Sequence, residues 1–285
     1  MTDLTGQVAL VTGAARGQGR AHALALAAAG ADVVVVDVCH DLELAPYPLS
    51  RPADLAETAE AVEALDRRVV TVEADVRSQA DLDGAVQQAL AEFGRLDVLV
   101  ANAGIWALGA LWELTENQWN DMIDVNLSGA WRSIKAVAPT MIAQGSGSIV
   151  VTSSVNGLEP GAGMGHYVAA KHGVIGLVRN AAIELGPHNV RCNAVCPGIV
   201  DTKMNDWPGS YDFIAGGTGG MPEDRERNAY HWSVLAGRGL LDPASISPAV
   251  VFLASDAARD ITGVALPVDG GHGVLPGHNP SPVRP

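Results

Sequence analysis

Tyr167 and Lys171 stand four positions apart, and their side chains could transfer a proton together. Residues at this spacing on an α-helix lie one above the other on the same face. An ammonium beside a phenol favours the phenolate, so the pair predicts a tyrosine whose pKa is lowered toward neutral pH. Such a group can exchange a proton with an alcohol or a ketone. Because Tyr/Lys pairs also occur by chance on solvated helices, the rest of the chain must support this interpretation.

A glycine-rich turn near the start of the chain predicts a dinucleotide site. Residues 7–12 are typical of a short buried strand, and residues 20–29 of a helix. The candidate phosphate-binding residues between them are Gly13, Arg16, Gly17, Gln18 and Gly19. Glycines permit a tight turn and let backbone N–H groups approach a pyrophosphate at a helix N-terminus. The spacing G-x3-G-x-G departs from the general G-x-G-x-x-G pattern. The strand–turn–helix context nevertheless favours phosphate binding over a glycine-rich surface turn.

Asp37 ends the next predicted strand, and it predicts a preference for NAD over NADP. A carboxylate there can accept hydrogen bonds from the adenosine ribose and would repel a 2′-phosphate. Arg16 has the opposite effect, because its guanidinium could pair with that phosphate. Two anions in contact cost more than one solvated arginine recovers, so Asp37 is expected to dominate. The alternative is that Asp37 only caps the strand end.

Strands and helices alternate along the chain, which predicts an α/β fold. Strands are predicted near residues 7–12, 32–37, 69–74, 96–101, 148–153, 190–196 and 264–268. Helices are predicted near residues 17–29, 53–66, 79–93, 116–143, 165–185 and 243–254. This pattern favours a Rossmann-type, doubly wound parallel sheet of three layers in a single domain. The domain is assigned to residues 1–272, and a proline-containing tail to residues 273–285.

Composition excludes several classes of function. The chain has 285 residues, with 18 basic and 32 acidic side chains and a net charge of −14, so a nucleic-acid or anionic-membrane surface is not expected. No apolar run approaches the roughly 20 residues of a membrane helix, and no secretory leader is recognisable, so we expect a cytoplasmic protein. Three cysteines cannot form a complete disulfide set, and their spacing predicts no metal site.

Several unrelated motifs in the same order resemble the short-chain dehydrogenase/reductase family over about residues 5–272. The matching motifs are Thr12-Gly13-(x3)-Gly17-Gln18-Gly19, Asp75, Asn102-Ala103-Gly104, Asn126, Ser154, Tyr167, Lys171, Pro197-Gly198 with Thr202, and Pro267–Gly271. Gln18 stands where the family usually has an aliphatic residue, and Ala101 where asparagine is commoner. Neither change removes a catalytic group. The resemblance implies an NAD-dependent oxidoreductase that transfers a hydride between an alcohol and the cofactor.

The resemblance implies a catalytic set of Ser154, Tyr167, Lys171 and Asn126. Tyr167 would be the proton-transfer group, and Lys171 would stabilise the phenolate and bind the nicotinamide ribose. Ser154 would donate to the substrate oxygen, and its offset of thirteen positions from Tyr167 favours it over Ser153. The backbone carbonyl of Asn126 would help to order a water beside the lysine. The alternative for Asn126 is a polar residue that bends a helix.

The resemblance also implies further cofactor contacts. They comprise Asp75, Val76, Asn102, Ala103, Gly104, Pro197, Gly198, Val200 and Thr202, together with Tyr167 and Lys171. Asp75 would face the adenine, although it could instead cap the helix that begins near Ser78. The motif at 102–104 would brace the sheet beside the cofactor, and Thr202 would reach the nicotinamide carboxamide.

An insertion at residues 38–52 narrows the resemblance to a subgroup. Together with Gln18, Ala101 and the stretch Pro46-Tyr47-Pro48-Leu49, it resembles the mycofactocin-associated, carveol-dehydrogenase-like proteins. That resemblance implies a tightly held, poorly exchanging NAD whose electrons leave through an external redox carrier. The insertion could fold over the adenine end of the cofactor. The alternative is a loop variation without functional consequence.

Residues 198–232 predict a lid over an apolar substrate. The segment contains a glycine-rich hinge and the aromatic residues Trp207, Tyr211, Phe213, Tyr230 and Trp232. Additional apolar walls are expected from Trp106, Leu108, Val155, Leu158 and Met164. We therefore predict a small apolar secondary alcohol, carveol-like, or its ketone as substrate. By family resemblance, the helices near 116–143 and 165–185 would form the contacts of a homotetramer.

Two alternative functions stay open at this point. The nearer one is an ordinary reductase with exchangeable NAD(P), acting on a ketone, a sugar or a 3-oxoacyl thioester. The more distant one is a non-catalytic NAD-binding regulator on the same fold. The complete Ser154/Tyr167/Lys171/Asn126 set argues against the regulator, because a catalytically silent descendant would more often have lost one of them.

Overall fold

A parallel seven-stranded sheet forms the middle layer of the molecule. The computed structural model describes residues 2–275. The strands are β1 (Val8–Thr12), β2 (Asp32–Asp37), β3 (Val69–Glu73), β4 (Val98–Ala101), β5 (Gly147–Thr152), β6 (Val190–Pro197) and β7 (Ala265–Val268). Their order is β3-β2-β1-β4-β5-β6-β7, and every neighbouring pair runs parallel. The predicted doubly wound parallel sheet is therefore confirmed.

Helices cover both faces of this sheet. In the described part of the chain they are α1 (Gly17–Ala28), α2 (Pro52–Glu63), α3 (Gln79–Phe93), α4 (Glu116–Ile123), α5 (Gly129–Gln144), α6 (Gly165–Leu185), α7 (Pro208–Ala215), α8 (Pro222–Asn228) and α9 (Pro243–Ala254). Among residues 2–275, no helix is both long enough and apolar enough to cross a membrane. The tail assigned to residues 273–285 lies outside the described residues from position 276 onward.

Alternate residues of each central strand supply the two halves of the core. In β1, Ala9 and Val11 pack with residues of α1, α2 and α9 on one face of the sheet. Val8 and Leu10 pack on the other face with residues of α3, α5 and α6. Successive side chains of a strand point to opposite faces, so a parallel sheet covered on both sides needs a continuous apolar run. The run at residues 8–11 meets that requirement.

Two helical features differ from the prediction. The helix predicted over 116–143 is α4 and α5 joined by a π-helical turn at Asp124–Ser128. The lid segment, which lies outside the predicted helices, contains α7 and α8, and each begins with proline at its first position. Proline is favoured there because its fixed φ suits a helix and the first turn needs no N–H donor. The composition of the segment concealed these two short helices.

The reversal of strand order beside β1 determines where a ligand can bind. β1 pairs with β2 on one side and with β4 on the other, so the following connections run in opposite directions from this point. A crevice opens there beyond the C-terminal strand ends. A third apolar cluster lies at this edge, and it contains Trp106 and Tyr167 packed against Leu42, Leu49 and Phe213. The edge is therefore partly enclosed by residues from outside the sheet.

Candidate active site

A cavity of about 590 Å³ lies at the C-terminal edge of the sheet. The chain brings to it every residue that the sequence analysis assigned to cofactor binding or catalysis. These lining residues are Gly13, Arg16, Gly17, Gln18, Gly19, Asp37, Asp75, Val76, Asn102, Ala103, Gly104, Asn126, Ser154, Tyr167, Lys171, Pro197, Gly198, Val200 and Thr202. Parallel strands place their C-terminal ends at one edge, which explains how segments far apart in sequence meet.

Close backbone packing explains the glycines of the turn after β1. Gly13 has φ +67°, and a Cβ there would lie 2.8 Å from the Cα of Ala103. A Cβ at Gly19 would lie 1.9 Å from the carbonyl oxygen of Gly13. Neither position can accept a side chain without a backbone shift, since real Cβ contacts are much longer. The turn thus leaves open backbone surface facing the cavity.

The N-terminus of α1 fits an anionic diphosphate. Its N-cap, Arg16, has an extended backbone and makes no side-chain capping bond. The first N–H groups of a helix have no intrahelical acceptor, and the helix dipole favours negative charge there. Gln18 lines the same space, and its buried Oε1 has no hydrogen-bond partner among the described residues. The open helix end and the orphaned amide both suit a polar ligand such as the NAD diphosphate.

Asp37 is held by two hydrogen bonds at the end of β2. Its Oδ2 accepts from the backbone N–H of Ala15 at 2.9 Å, and its Oδ1 from the hydroxyl of Ser50 at 2.5 Å. The carboxylate lines the cavity, where it can meet a ribose hydroxyl. Arg16, the possible partner for a 2′-phosphate, instead donates from Nη2 to the carbonyl oxygen of Pro48 at 2.6 Å. The local charge pattern therefore suits NAD better than NADP.

The insertion at residues 38–52, here named the strap, lies along this cavity. Leu42, Tyr47, Leu49 and Ser50 of the strap all line it. Besides the bonds to Asp37 and Arg16, an internal pair holds the strap: Asp41 accepts from the backbone N–H of Leu49 at 2.7 Å and pairs with Arg51. Hydrogen bonds from Arg51 lower the pKa of the exposed Asp41 to about 2. The strap is thus a built part of the cofactor cavity.

Asp75 also lines the cavity, but its carboxylate already has a partner. Although burial opposes ionisation, hydrogen bonds from Arg77 hold the pKa of Asp75 below its ordinary value. The guanidinium Nη2 lies 2.7 Å from Oδ2. Helix α3 is capped instead by Ser78, whose hydroxyl accepts from the backbone N–H of Asp81. The carboxylate therefore does not cap the helix, and its neighbour Val76 supplies an apolar contact beside it.

Tyr167 and Lys171 lie at the floor of the cavity. Both are on α6, and the Lys171 Nζ lies 5.6 Å from the centre of the Tyr167 ring. The ammonium donates to the carbonyl oxygen of Thr152 at 2.8 Å. Burial raises the pKa of Tyr167 to about 12, against a smaller lowering by its hydrogen bond with Ser154, and burial lowers the pKa of Lys171 to about 8. The prediction of a Tyr167 pKa lowered toward neutral pH is wrong for this structure, because loss of solvation dominates.

The two serines after β5 have different roles in the structure. Ser153 is buried, and its hydroxyl donates to the carbonyl oxygen of Lys171 at 3.0 Å. Ser154 hydrogen-bonds the phenol of Tyr167, and its Oγ also accepts from the backbone N–H of Asn156 at 3.1 Å. Ser154 therefore presents its hydroxyl beside the proton-transfer group, whereas Ser153 is committed to the backbone.

Asn126 lies inside the π-helical turn, within reach of the lysine. Its Nδ2 donates to the carbonyl oxygens of Met122 and Ile105, each at 3.0 Å. A Cβ added at Gly104 would lie 2.7 Å from Asn126 Oδ1 and 3.7 Å from Lys171 Nζ. The same side chain ties the π-helical turn to the loop after β4.

The loops after β4 and β6 complete the cofactor half. Asn102 donates from Nδ2 to the carbonyl oxygen of Thr12 at 3.1 Å and accepts from Thr152 Oγ1 at 3.2 Å, so it bridges β1, β4 and β5. Thr202 packs over the phosphate turn, since a Cβ at Gly17 would lie 3.2 Å from its methyl carbon. The predicted bracing of the sheet is seen directly, and the loop after β6 closes over the same turn.

The lid carries aromatic side chains to the outer half of the cavity. Trp106 lies 5.4 Å from Trp207 and 6.0 Å from Phe213 between ring centres, and Phe213 lies 5.6 Å from Trp232. Val155 and Met164 of the predicted walls also line this half. Five predicted residues do not line the cavity: Trp207, Tyr211, Tyr230, Leu108 and Leu158. Tyr211 donates its hydroxyl to Asp206 at 2.6 Å, Tyr230 packs against Gly239, and Leu158 is exposed.

Sequence reasoning missed three residues that the structure brings to the site. Tyr47 and Ser50 of the strap line the cavity, and Ser50 bonds Asp37. Arg225 of α8 also lines it, nine-tenths buried, with its Nη2 3.1 Å from Asp201 Oδ1. The stretch Pro46-Tyr47-Pro48 was a signal for Tyr47, since two prolines restrict the backbone on both sides of an aromatic ring. Arg225 stands among solvated charges and gave no such signal.

Fold and site together define a family of oxidoreductases. A family model of short chain dehydrogenases matches residues 7–208. The chain therefore belongs to the short-chain dehydrogenase/reductase family, and the resemblance seen in the sequence is confirmed.

Individual relatives match almost the whole chain. The (−)-trans-carveol dehydrogenase of Rhodococcus erythropolis is 43% identical over 277 residues, which cover 95% of this chain and 99% of that protein. An uncharacterized NAD-dependent oxidoreductase of Mycobacterium tuberculosis is 43% identical over 270 residues, covering 94% and 96%. The crystal structure of carveol dehydrogenase from Mycobacterium avium in complex with NAD superposes with a TM-score of 0.92 at 45% identity, covering 95% of this chain and 99% of that one.

Proposed function

We propose that this NAD-dependent oxidoreductase interconverts a small apolar secondary alcohol, carveol-like, and its ketone. The observation that carries the proposal is one cavity with Tyr167, Lys171 and Ser154 at its floor and tryptophan and phenylalanine rings around its outer half. The carveol dehydrogenases of Rhodococcus erythropolis and Mycobacterium avium, at 43% and 45% identity, support this substrate class.

Tyr167 transfers the proton in this proposal. With its pKa raised by burial to about 12, the phenol is protonated at neutral pH and can donate to a ketone oxygen. In the reverse direction the phenolate form of Tyr167 accepts the hydroxyl proton of the alcohol, which restores the phenol. Ser154, hydrogen-bonded to the same phenol, donates to the substrate oxygen as charge develops on it. Lys171 lies close enough to stabilise the phenolate, and Asn126 holds the loop beside the lysine.

The residues of the inner half would hold the NAD. The open end of α1 and the glycine turn suit its diphosphate, and Asp37 its adenosine ribose. Asp75 and Val76 lie where the adenine would bind, and Thr202 lies over the phosphate turn toward the carboxamide. When bound, NAD supplies the hydride acceptor or donor of the reaction.

The strap supports a second element of the proposal, a slowly exchanging NAD. Its bonds to Asp37 and Arg16 must break before it can lift from the cavity. Ligand residence lengthens when a covering segment has to open first. A cofactor held in this way would pass its electrons to an external redox carrier, as in the mycofactocin-associated subgroup.

The assembly and location follow from the family resemblance. We propose a cytoplasmic homotetramer with contacts along α4, α5 and α6. Trp119, Trp131 and Ile183 on these helices are exposed by 38%, 46% and 76% in the single chain, which supports an apolar interface there. The molar mass measured by light scattering tests the proposed subunit number.

Nucleotide release from the purified, desalted protein tests the proposed function. We expect close to one NAD(H) per chain after denaturation, and carveol oxidation only when an artificial electron acceptor is supplied. An empty protein that reduces added NAD⁺ freely would instead indicate the ordinary exchangeable-NAD(P) reductase. Bound NAD with no turnover of any alcohol or ketone would favour the non-catalytic regulator.

A further inference from the structure

Tyr47 is the residue of the strap that extends from the cofactor half of the cavity into its substrate half. Only 5% of this residue is exposed. Its phenol oxygen accepts a hydrogen bond from the backbone N–H of Trp106 at 3.0 Å. Its ring centre lies 6.4 Å from that of Trp207 on the lid. Tyr47 and Trp106 both line the cavity, and Trp207 packs behind them, so an insertion that begins beside the adenosine site ends among the substrate walls.

Trp106 lies where the strap and the lid meet. Its indole N–H contacts the sulfur of Met164 at 3.0 Å, in the loop before α6. Its ring packs edge-on against Trp207 and Phe213 of the lid. The Tyr47 hydroxyl is the hydrogen-bond acceptor for its buried backbone N–H, and a buried N–H without an acceptor is costly. The position of Trp106 therefore depends on the strap.

We propose that Tyr47 is a specificity-determining residue, whose ring bounds the substrate pocket and whose hydroxyl fixes the Trp106 wall. The strap then limits the size of the substrate as well as covering the cofactor. Burial is the largest cause of the raised pKa of Tyr47, and charge on Tyr167 raises that pKa further. The phenols of Tyr47 and Tyr167 are therefore close enough to interact. This inference rests on the proposed function, because it assumes that an apolar alcohol occupies the outer half.

Two alcohols of different size test the inference on the NAD-loaded protein. The probes are carveol and cyclohexanol, and the readout is the ratio of their kcat/KM values with an artificial electron acceptor. Tyr47→Ala removes a wall next to the larger alcohol, carveol, so we expect the ratio to change by roughly tenfold or more. Tyr47→Phe keeps the ring but leaves the Trp106 N–H without its acceptor, and we expect KM for carveol to rise roughly tenfold.

Glu43→Gln is the matched control within the strap. Glu43 is exposed and does not line the cavity, so this change should leave the substrate ratio unchanged. Each variant is first checked for one bound NAD(H) per chain. If Tyr47→Ala loses its cofactor, the test of the inference rests on Tyr47→Phe. An unchanged ratio in Tyr47→Ala, or unchanged KM in a fully loaded Tyr47→Phe, would overturn the inference.

Binding without turnover separates this inference from the proposed function. Carvone added to the NAD-loaded protein should alter the fluorescence of Trp106 and Trp232, which line the pocket. If the wild type oxidises no alcohol, the proposed function fails, yet a weaker carvone Kd in Tyr47→Ala than in Glu43→Gln would still support Tyr47 as a pocket wall. Equal Kd values in the two variants would contradict it.

Discussion

The strap and the lid cover two halves of one cavity, and different forces hold them. The strap is fixed by directional polar bonds to the sheet edge, from Ser50 to Asp37 and from Arg16 to Pro48. The side-chain hydrogen bonds of the lid lie largely within it, such as that from Tyr211 to Asp206, and the lid meets the rest of the cavity through packed aromatic rings. One cover is bonded in place, whereas the other rests on apolar contacts.

This difference matches the ligands that each half is proposed to hold. Hydrogen bonds to charged groups tolerate little change of geometry, and so they suit a cofactor whose shape never varies. Aromatic packing depends mainly on buried area, and rings can adjust their tilt around substrates of somewhat different shape. Tyr47 is the exception, because it belongs to the strap but its ring packs with the aromatic rings of the lid.

The largest expected effect lies beneath both covers, at Tyr167. Tyr167→Phe removes the only proposed proton-transfer atom and leaves the ring, so carveol turnover should fall by roughly a hundredfold to ten-thousandfold. Bound NAD(H) should stay near one per chain, since strap and lid are untouched. Tyr211→Phe is the control, because its hydroxyl bonds Asp206 away from the floor. Retained turnover in Tyr167→Phe would refute the mechanism.

Breaking the strap at its anchor is expected to be the next largest effect. Asp37→Ala removes both the acceptor for Ser50 and the proposed ribose contact, so NAD retention should weaken by roughly ten- to a hundredfold. The loss of the carboxylate should also raise the affinity for NADP relative to NAD. Dissociation of the nucleotide, followed by fluorescence of NADH, measures both. Glu43→Gln removes an exposed acid of the strap that does not line the cavity, and it should change neither NAD retention nor the preference for NAD over NADP.

The sequence predicted the cofactor-binding and catalytic residues more completely than the contacts of the strap and the lid. Glycine spacing, Asp37 after β2 and the Tyr167/Lys171 pair are local patterns, and parallel strands carry local patterns to one edge. The contact of Tyr47 with Trp106 joins segments 59 positions apart, and no local pattern specifies it. The raised pKa of Tyr167 has the same origin, because burial is a property of the whole fold.

Acid should weaken the sheet scaffold that both covers share. His22 on α1 is fully buried against Ser247 of α9, and burial lowers its pKa to about 4. The folded state therefore binds fewer protons than the unfolded chain, whose histidine titrates near 6.5. The stability from this group is fully present above pH 6.5 and declines as the pH falls toward 4, by about 2 kcal/mol at pH 5.

Urea unfolding of the wild type and His22→Gln between pH 8 and pH 5 measures this term. The variant should lose less free energy of unfolding over that range than the wild type does. His172→Gln is the control, because that histidine is exposed on α6. Equal pH slopes for the wild type and His22→Gln would contradict the assignment. A change in the scaffold alone would also lower the retention of NAD and the affinity for carveol together, unlike a change in either cover.

The smallest effect separates the covers most cleanly. Trp207→Leu removes a lid ring that packs against Trp106 and Tyr47, while every polar bond of the strap stays in place. Lost ring contacts of this kind are worth about 1 kcal/mol, so KM for carveol should rise roughly fivefold. The rate of NADH release should stay unchanged, and Trp207→Phe should restore most of the KM. If Trp207→Leu speeds NADH release as much as Asp37→Ala does, the lid and the strap open as one unit, and the distinction between a bonded and a packed cover fails.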